Sequence, residues 1–155
     1  MRDIKIKTGD TAPDFTLKNQ NDKEISLSSL KGKKVLLSFH PLAWTSVCEI
    51  QMKTLEIKRK IFEESNTVAL GVSVDSVPCK KAWAKHMEII NTDLVSDFWP
   101  HGDVAKKYDL FIEKAGISGR ANILVNEQGK VDLLKVYEIW EIPDIEEIVK
   151  VIQKK

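Results

Sequence analysis

One cysteine in the sequence stands where a helix is predicted to begin, directly after a buried strand. The apolar run over residues 35–39 predicts the strand, and Pro41 ends it and stiffens the turn. Apolar residues at helical spacing from Thr45 onward predict the helix, with Thr45 as its cap and a hydroxyl near the sulfur. Cys48 therefore falls in the first turn, where free N–H groups and the helix dipole favour the nucleophilic thiolate. A buried, inert cysteine is the competing interpretation.

The elements that position Cys48 follow from the pattern along the chain. The order of strands and helices predicts parallel strands with right-handed crossovers, followed by an antiparallel pair. We expect one α/β domain over residues 1–155, with a mixed central sheet flanked by helices and an N-terminal β-hairpin. The predicted elements are the hairpin (15–17 and 24–27), a strand (35–39), a helix (45 to about 64), a strand (68–74), a helix from Pro78, a short edge strand (92–95), a short helix (103–108), a hairpin (120–125 and 130–136) and a helix from Pro143.

Composition narrows the class of protein. The chain has 155 residues, of which 43% are hydrophobic and 30% charged, and this is typical of a globular domain. Its formal net charge of +1 gives no bulk attraction to nucleic acid or to an anionic membrane, and its apolar runs are too short for a membrane span. The first residues lack the apolar core of a signal peptide, so a cytoplasmic location is expected. With no CxxC or HxxxH motif, neither a metal nor a cofactor is expected.

The spacing Pro41-x-x-x-Thr45-x-x-Cys48 resembles the active-site motif of the peroxiredoxins, thiol peroxidases with a thioredoxin-like fold. Three other segments are similar to the same family in the same order, so the similarity runs over most of the chain. The chain is identified as a peroxiredoxin of the alkyl hydroperoxide reductase E type, the bacterioferritin-comigratory-protein type or an archaeal or bacterial atypical type. The three segments are residues 73–83, 96–108 and 116–125.

The resemblance implies a mechanism in which Cys48 is the peroxidatic residue. Its thiolate attacks a hydroperoxide, becomes a sulfenic acid and releases water or an alcohol. The family keeps an arginine at the start of a late strand, beside this sulfur, and Arg120 matches it. A guanidinium stays charged and offers a planar fork of donors. The resemblance therefore assigns the Thr45 hydroxyl, the first-turn N–H groups and Arg120 to hold the two peroxide oxygens, although a lone arginine is more often part of a surface ion pair.

The second cysteine, Cys79, is the candidate resolving residue. It follows the next parallel strand, so both cysteines are expected at one edge of the sheet, and some relatives keep a resolving cysteine near the start of this helix. Pro78 and the neighbouring Lys80 and Lys81 are expected to favour its thiolate. A disulfide between the first turns of two helices is expected to require local unwinding. A one-cysteine peroxidase that an external thiol reduces is the alternative.

The resemblance also implies partners: a hydroperoxide substrate, a thioredoxin-like or other thiol electron donor, and a homodimer as one of the family's assemblies. A different class of function, a non-catalytic redox sensor, uses oxidation of Cys48 only to change partners. A thioredoxin-like disulfide reductase lacks its usual CxxC pair here. Turnover of peroxide with a thiol donor separates an enzyme from a sensor.

Two residues depart from the family pattern. Ser46 stands where many relatives have proline, and Gln51 stands where many have glutamate. The first change predicts a looser turn, and the second removes a charge that could tune Cys48 or Arg120. His40 is interpreted as an ordinary residue at a strand end.

Overall fold

The computed structural model describes residues 4–154 and is built from nine strands and five α-helices within that range. The strands are β1 (Thr16–Lys18), β2 (Glu24–Ser26), β3 (Lys34–Phe39), β4 (Thr67–Ser73), β5 (Asp93–Ser96), β6 (Phe111–Ile112), β7 (Ile117–Ser118), β8 (Arg120–Val125) and β9 (Val131–Tyr137). The helices are α1 (Ser46–Ile57), α2 (Arg59–Glu64), α3 (Val77–Met87), α4 (Asp103–Lys107) and α5 (Ile145–Ile152).

Seven of the strands form one mixed sheet in the order β2-β1-β5-β4-β3-β8-β9. β3, β4 and β5 are parallel to one another, whereas β8 and β9 are antiparallel to their neighbours. The predicted mixed sheet and N-terminal hairpin are therefore confirmed. The prediction that β5 is an edge strand was wrong, because the β1–β2 hairpin pairs with β5 through Lys18 and Ser96.

The sheet separates two apolar cores, as the alternation of side chains along β3 requires. Leu36 points into a core made with α1, α2, α3 and α5, whereas Leu37 and Phe39 point into a core made with α4 and the N-terminal segment. All three side chains are fully buried. This near-continuous burial explains why β3 reads as an unbroken apolar run in the sequence.

The helix predicted over residues 45 to about 64 is two helices. Helix α1 ends at Ile57, Lys58 adopts a non-helical conformation, and α2 begins at Arg59. Two apolar residues of α1, Ile50 and Ile57, are exposed. The buried face of α1 is instead formed by Cys48, Gln51, Met52 and Leu55.

Two shorter segments also differ from the prediction. The region around Gly116, where the sequence predicted no strand, contains the small β6–β7 hairpin. On α3, Trp83 and Met87 are buried and Ala82 is exposed, whereas Ile90 lies exposed beyond the end of the helix. Lys80 also lies on the buried face of α3. No helix among residues 4–154 is long and apolar enough to cross a membrane.

Candidate active site

Three chain segments meet at one edge of the sheet because of strand direction. β3 and β4 are parallel and paired through Phe39 and Val72, so the loops that lead to α1 and α3 leave from the same edge. β8 runs antiparallel to β3 and pairs Ala121 with Phe39, so β8 begins at the edge where β3 ends. This topology brings Cys48, Cys79 and Arg120 to one side of the molecule.

The Cys48 sulfur and the Arg120 guanidinium are in direct contact. Arg120 Nη1 donates to Cys48 Sγ at 3.4 Å. Both side chains are buried, with the cysteine 0% and the arginine 2% exposed. Cys48 lies against apolar residues of the α1–α3 core, yet its sulfur faces a cation, so it is not in a purely apolar environment.

Arg120 is anchored by neutral acceptors. Its Nε and Nη2 donate to the Ile139 carbonyl at 3.1 and 2.7 Å, and Nη1 also donates to Gln51 Oε1 at 2.7 Å. Apart from the Cys48 sulfur, these are its hydrogen-bond partners within residues 4–154, and no carboxylate is among them. A buried cation without an anionic partner is costly. A thiolate at Cys48 would supply that missing negative charge.

Gln51 fixes the guanidinium through a chain of hydrogen bonds to the central strands. Its Nε2 donates to the Ser38 hydroxyl at 2.7 Å and to the Phe39 carbonyl at 3.1 Å. The Ser38 hydroxyl in turn donates to Asn122 Oδ1 at 2.8 Å. Because the amide is held from β3, its oxygen has a defined direction toward Arg120. The position at which the sequence departs from the family pattern is thus part of the site.

Thr45 and Pro41 frame the turn that precedes Cys48. Thr45 occupies the N-cap position of α1, as predicted, but its hydroxyl makes no capping hydrogen bond. It donates instead to the Leu42 carbonyl at 2.7 Å and lies exposed at the surface. Pro41 is buried at the end of β3. Between them, Trp44 adopts a left-handed conformation with φ of 66°, which is uncommon for a bulky residue.

Asp75 ties this turn to the second cysteine. It follows β4, and its Oδ2 accepts hydrogen bonds from the Ala43 N–H at 2.8 Å and the Ser73 hydroxyl at 2.6 Å. Its Oδ1 accepts from Cys79 Sγ at 3.8 Å. One carboxylate therefore contacts the loop before α1 and the first turn of α3. Both cysteines are free thiols.

The net effect of the surroundings on Cys79 differs from the predicted one. Burial raises the pKa of the Cys79 thiol, and the Asp75 carboxylate raises it further. Lys80 lowers the pKa of Cys79, in the direction that the sequence predicted, but burial and Asp75 outweigh its effect. Lys81 points to solvent, and Lys80 is buried.

Lys80 and His40 form a buried polar group behind the two cysteines. Lys80 is 0% exposed, and burial lowers its pKa to about 7. Burial also lowers the pKa of His40 well below its ordinary value, and the nearby Lys80 lowers it further. Within residues 4–154, Lys80 Nζ and His40 Nε2 have no hydrogen-bond partner. His40 follows β3 directly, is fully buried and interacts electrostatically with Lys80.

The residues that the sequence argument missed have recognisable signals. Asp75 is a carboxylate directly after a parallel strand, where α/β proteins place functional side chains. Lys80 precedes Trp83, Ala84 and Met87 by three, four and seven positions, so it lies on the buried face of α3. The Ile139 carbonyl left no signal, because any residue offers one.

The fold and the site together define a thioredoxin-like protein with a cysteine at a helix start and an arginine against its sulfur. The sequence model of the AhpC/TSA family matches residues 8–133 of this chain. The chain therefore belongs to the AhpC/TSA family, the peroxiredoxins, and the predicted thiol-dependent peroxidase is confirmed at the level of the family.

Individual relatives agree with this assignment. Alkyl hydroperoxide reductase E of Mycobacterium tuberculosis is 38% identical over 140 residues, which cover 90% of this chain and 91% of the relative. A putative peroxiredoxin bcp of Haemophilus influenzae is 35% identical over 146 residues, covering 90% of each. The crystal structure of reduced Plasmodium vivax 2-Cys peroxiredoxin matches with a TM-score of 0.84 at 31% identity, covering 94% of this chain and 79% of that one. The chain is a peroxiredoxin similar to the reductase E and bcp proteins, and the predicted thioredoxin-like fold is confirmed.

Proposed function

We propose that this peroxiredoxin reduces hydrogen peroxide and organic hydroperoxides at Cys48, and that Cys79 resolves the oxidised cysteine by forming an intramolecular disulfide. The observation that carries the proposal is the contact between Arg120 Nη1 and Cys48 Sγ, made by a guanidinium whose other partners are neutral. The name of one relative, alkyl hydroperoxide reductase E, supports a hydroperoxide substrate.

In the first step, the Cys48 thiolate attacks the terminal oxygen of the hydroperoxide. A sulfur–oxygen bond forms, the oxygen–oxygen bond breaks, and the leaving oxygen takes a proton to become water or an alcohol. Negative charge moves from sulfur to the leaving oxygen during this step. Arg120, the N–H groups of the first turn of α1 and the Thr45 hydroxyl hold the two oxygens in line and stabilise that charge.

Access to the sulfur requires a small movement. Cys48 is fully buried, whereas Thr45 and Leu42 on the preceding turn are exposed. Opening of this turn admits the peroxide to the space between Thr45 and Arg120. Pro41 limits how far the turn moves, because its ring fixes φ where β3 ends.

In the second step, the Cys79 sulfur attacks the Cys48 sulfenic acid and water leaves. Each sulfur has its own partner in the reduced protein, Arg120 for Cys48 and Asp75 for Cys79. A disulfide requires Cα atoms within about 7 Å and a defined sulfur–sulfur geometry, so both contacts must break. Partial unwinding of the first turn of α1 or α3 accompanies the step, and faster amide exchange there in the oxidised protein would report it.

Two matched variants, Cys48→Ser and Cys79→Ser, test both steps. Each reduced protein receives one equivalent of peroxide and is followed by intact mass and by turnover with a dithiol donor. We expect the wild-type protein to form a disulfide, Cys79→Ser to stop at a sulfenic acid that dimedone traps, and Cys48→Ser to react with neither peroxide nor dimedone.

The outcomes separate the competing functions. Full turnover by Cys79→Ser with the same donor would overturn resolution by Cys79 and leave a one-cysteine peroxidase. A wild-type protein that reacts once and is not recycled by any thiol donor would be a redox sensor. Peroxide consumption by Cys48→Ser would overturn the whole assignment.

The same proposal includes a thioredoxin-like or other thiol donor, a homodimer and a cytoplasmic location. A reducing compartment suits a chain whose two cysteines are free thiols. Trp44, Trp99 and Trp140 expose large aromatic surfaces, which support a protein contact. Light scattering on the reduced protein tests the dimer, and a monomer at all concentrations would contradict it.

A further inference from the structure

Lys80 is a buried amine that the peroxidase mechanism leaves without a role. It lies on the inward face of α3 and is 0% exposed. Its Nζ has no hydrogen-bond partner within residues 4–154. A charged ammonium in such a place would lack both water and a partner, so burial favours the neutral amine. A neutral amine is a base.

The charged and titratable groups around Lys80 include both redox centres. Lys80 interacts electrostatically with Asp75 after β4, with Cys79 on its own helix, with Cys48 on α1 and with Asp97 after β5. His40, at the end of β3, interacts with it from the centre of the sheet. Positive charge at Lys80 is favoured by the first four of these groups and opposed by His40. An ammonium there is therefore stabilised when a neighbouring thiol becomes a thiolate.

Cys79 needs such a base. A thiol is a poor nucleophile until it loses its proton, and burial together with Asp75 raises the pKa of this thiol. Asp75 itself contacts Cys79 Sγ, but a carboxylate is a far weaker base than an amine. Its negative charge also opposes formation of the thiolate.

We propose that Lys80 accepts the proton of Cys79 when Cys79 attacks the oxidised Cys48, an inference that rests on the proposed resolving role of Cys79. The Cys79 proton moves to Lys80 Nζ, the thiolate forms a bond to Cys48 Sγ, and the sulfur–oxygen bond of the sulfenic acid breaks. The departing hydroxide takes a proton from the Lys80 ammonium and leaves as water. Cys79 is oxidised, the Cys48 sulfur is reduced, and no further oxidant is needed.

The test follows disulfide formation in a single turnover. Reduced protein is mixed with one equivalent of hydrogen peroxide, quenched at intervals, alkylated and weighed as intact protein, at pH values from about 5 to about 9. The variants are Lys80→Met and its neighbour Lys81→Met, which removes an exposed lysine. The rate of Cys48 oxidation in each variant is measured separately and reports an intact first site.

We expect the wild-type rate of disulfide formation to rise through pH about 7, where Lys80 loses its proton. In Lys80→Met the rise should move to higher pH, where Cys79 ionises unaided, and the rate at neutral pH should fall by at least about tenfold. Lys81→Met should keep the wild-type profile. A Lys80→Met profile equal to that of Lys81→Met would overturn the role of Lys80 alone. Absence of the disulfide from the wild-type protein would overturn resolution by Cys79, and this inference with it.

A second measurement needs no variant. In the reduced wild-type protein with ¹³C-labelled lysine, one ε-carbon signal should titrate near pH 7. If every lysine titrates near its ordinary value of about 10.4, Lys80 is not a neutral amine at physiological pH and the proposal is overturned.

Discussion

The two cysteines occupy the same local position and have opposite surroundings. Cys48 is the third residue of α1 and Cys79 is the third residue of α3, and each helix follows a parallel strand. At Cys48 the side-chain partner is a guanidinium, and the sulfur is fully buried. At Cys79 the partner is a carboxylate, and the side chain is half-buried.

A position at a helix start does not by itself make a thiol reactive. Both sulfurs lie near the positive end of a helix dipole, an effect worth about 0.3–1 kcal/mol at exposed sites. At Cys79, burial and Asp75 outweigh that contribution, since the pKa of the thiol is raised. The two sites differ in the charged residue that another part of the chain places against the sulfur, which is Arg120 at Cys48 and Asp75 at Cys79. Arg120 places a positive charge against the first sulfur, and Asp75 together with burial raises the pKa of the second thiol.

The largest effect is expected from Arg120→Met, which removes the cation that distinguishes the two sites. The rate of Cys48 oxidation by hydrogen peroxide should fall by about 10²–10³-fold, because the transition state loses a buried charged donor. Stopped-flow tryptophan fluorescence measures the rate. Arg59→Met removes an exposed arginine on α2 and should change nothing. If Arg120→Met reacted within about threefold of the wild-type rate, the helix start alone would activate Cys48, and Arg120 would not be what distinguishes the two cysteines.

The next effect concerns His40, the buried residue that interacts with both Lys80 and Arg120. Burial holds the pKa of His40 well below its unfolded value of 6.5, so below that pH the unfolded chain binds a proton that the folded protein does not. The free energy of unfolding should therefore fall as the pH falls below about 6.5, by up to about 1.4 kcal/mol per pH unit from this residue.

His40→Phe should remove this contribution, so urea unfolding should show a shallower loss of stability between pH about 7 and about 5. His86→Phe changes an exposed histidine and serves as the matched control, with the wild-type slope retained. An equal slope in His40→Phe and the wild-type protein would mean that His40 is protonated in the folded state.

A smaller effect is expected from Asp75→Asn, which removes the negative charge beside Cys79 and so makes its surroundings more similar to those of Cys48. Without the carboxylate, the pKa of Cys79 should fall, and its alkylation by iodoacetamide near pH about 8 should quicken by about 3–10-fold. The measurement uses a Cys48→Ser background, so that Cys79 is the thiol observed. Glu64→Gln, which removes one negative charge from an exposed residue, is the control. Slower alkylation in Asp75→Asn would show that the carboxylate activates the thiol.

The part of this site that could be predicted is the part encoded locally. The apolar run of β3, the proline and the helical spacing after Thr45 are neighbours in sequence, so they predicted where Cys48 would stand. Arg120 lies 72 residues from Cys48, and its position followed only from the family resemblance. The interruption of the first helix at Lys58 was missed, because apolar residues continue at helical spacing across it.

The electrostatics of Cys79 could not be predicted by counting charges along the chain. Lys80 and Lys81 are adjacent in sequence, but helix geometry turns one into the core and the other to solvent. Asp75 is four residues away and contacts the sulfur. The electrostatic effect of a charged residue on a sulfur depends on their distance in the folded protein and on burial. Burial also lowers the pKa of Lys80 itself.

The smallest effect is expected from Gln51→Glu, which gives Arg120 an anionic partner and so makes the Cys48 site slightly more like that of Cys79. Gln51 Oε1 accepts from Arg120 Nη1 at 2.7 Å, and the same nitrogen donates to Cys48 Sγ. A carboxylate there competes with the thiolate for one positive charge. Cys48 oxidation should slow by about two- to threefold, because the carboxylate partly neutralises the guanidinium.

Gln128→Glu makes the same chemical change at an exposed position and should leave the peroxide rate unaltered. A faster reaction in Gln51→Glu would show that the carboxylate orients the guanidinium more than it neutralises it. A loss as large as that in Arg120→Met would show that the amide holds Arg120 in place, because Gln51 is itself held by Ser38 and the Phe39 carbonyl. Either result would mean that the geometry of the partner residue, and not its charge, distinguishes the two cysteines.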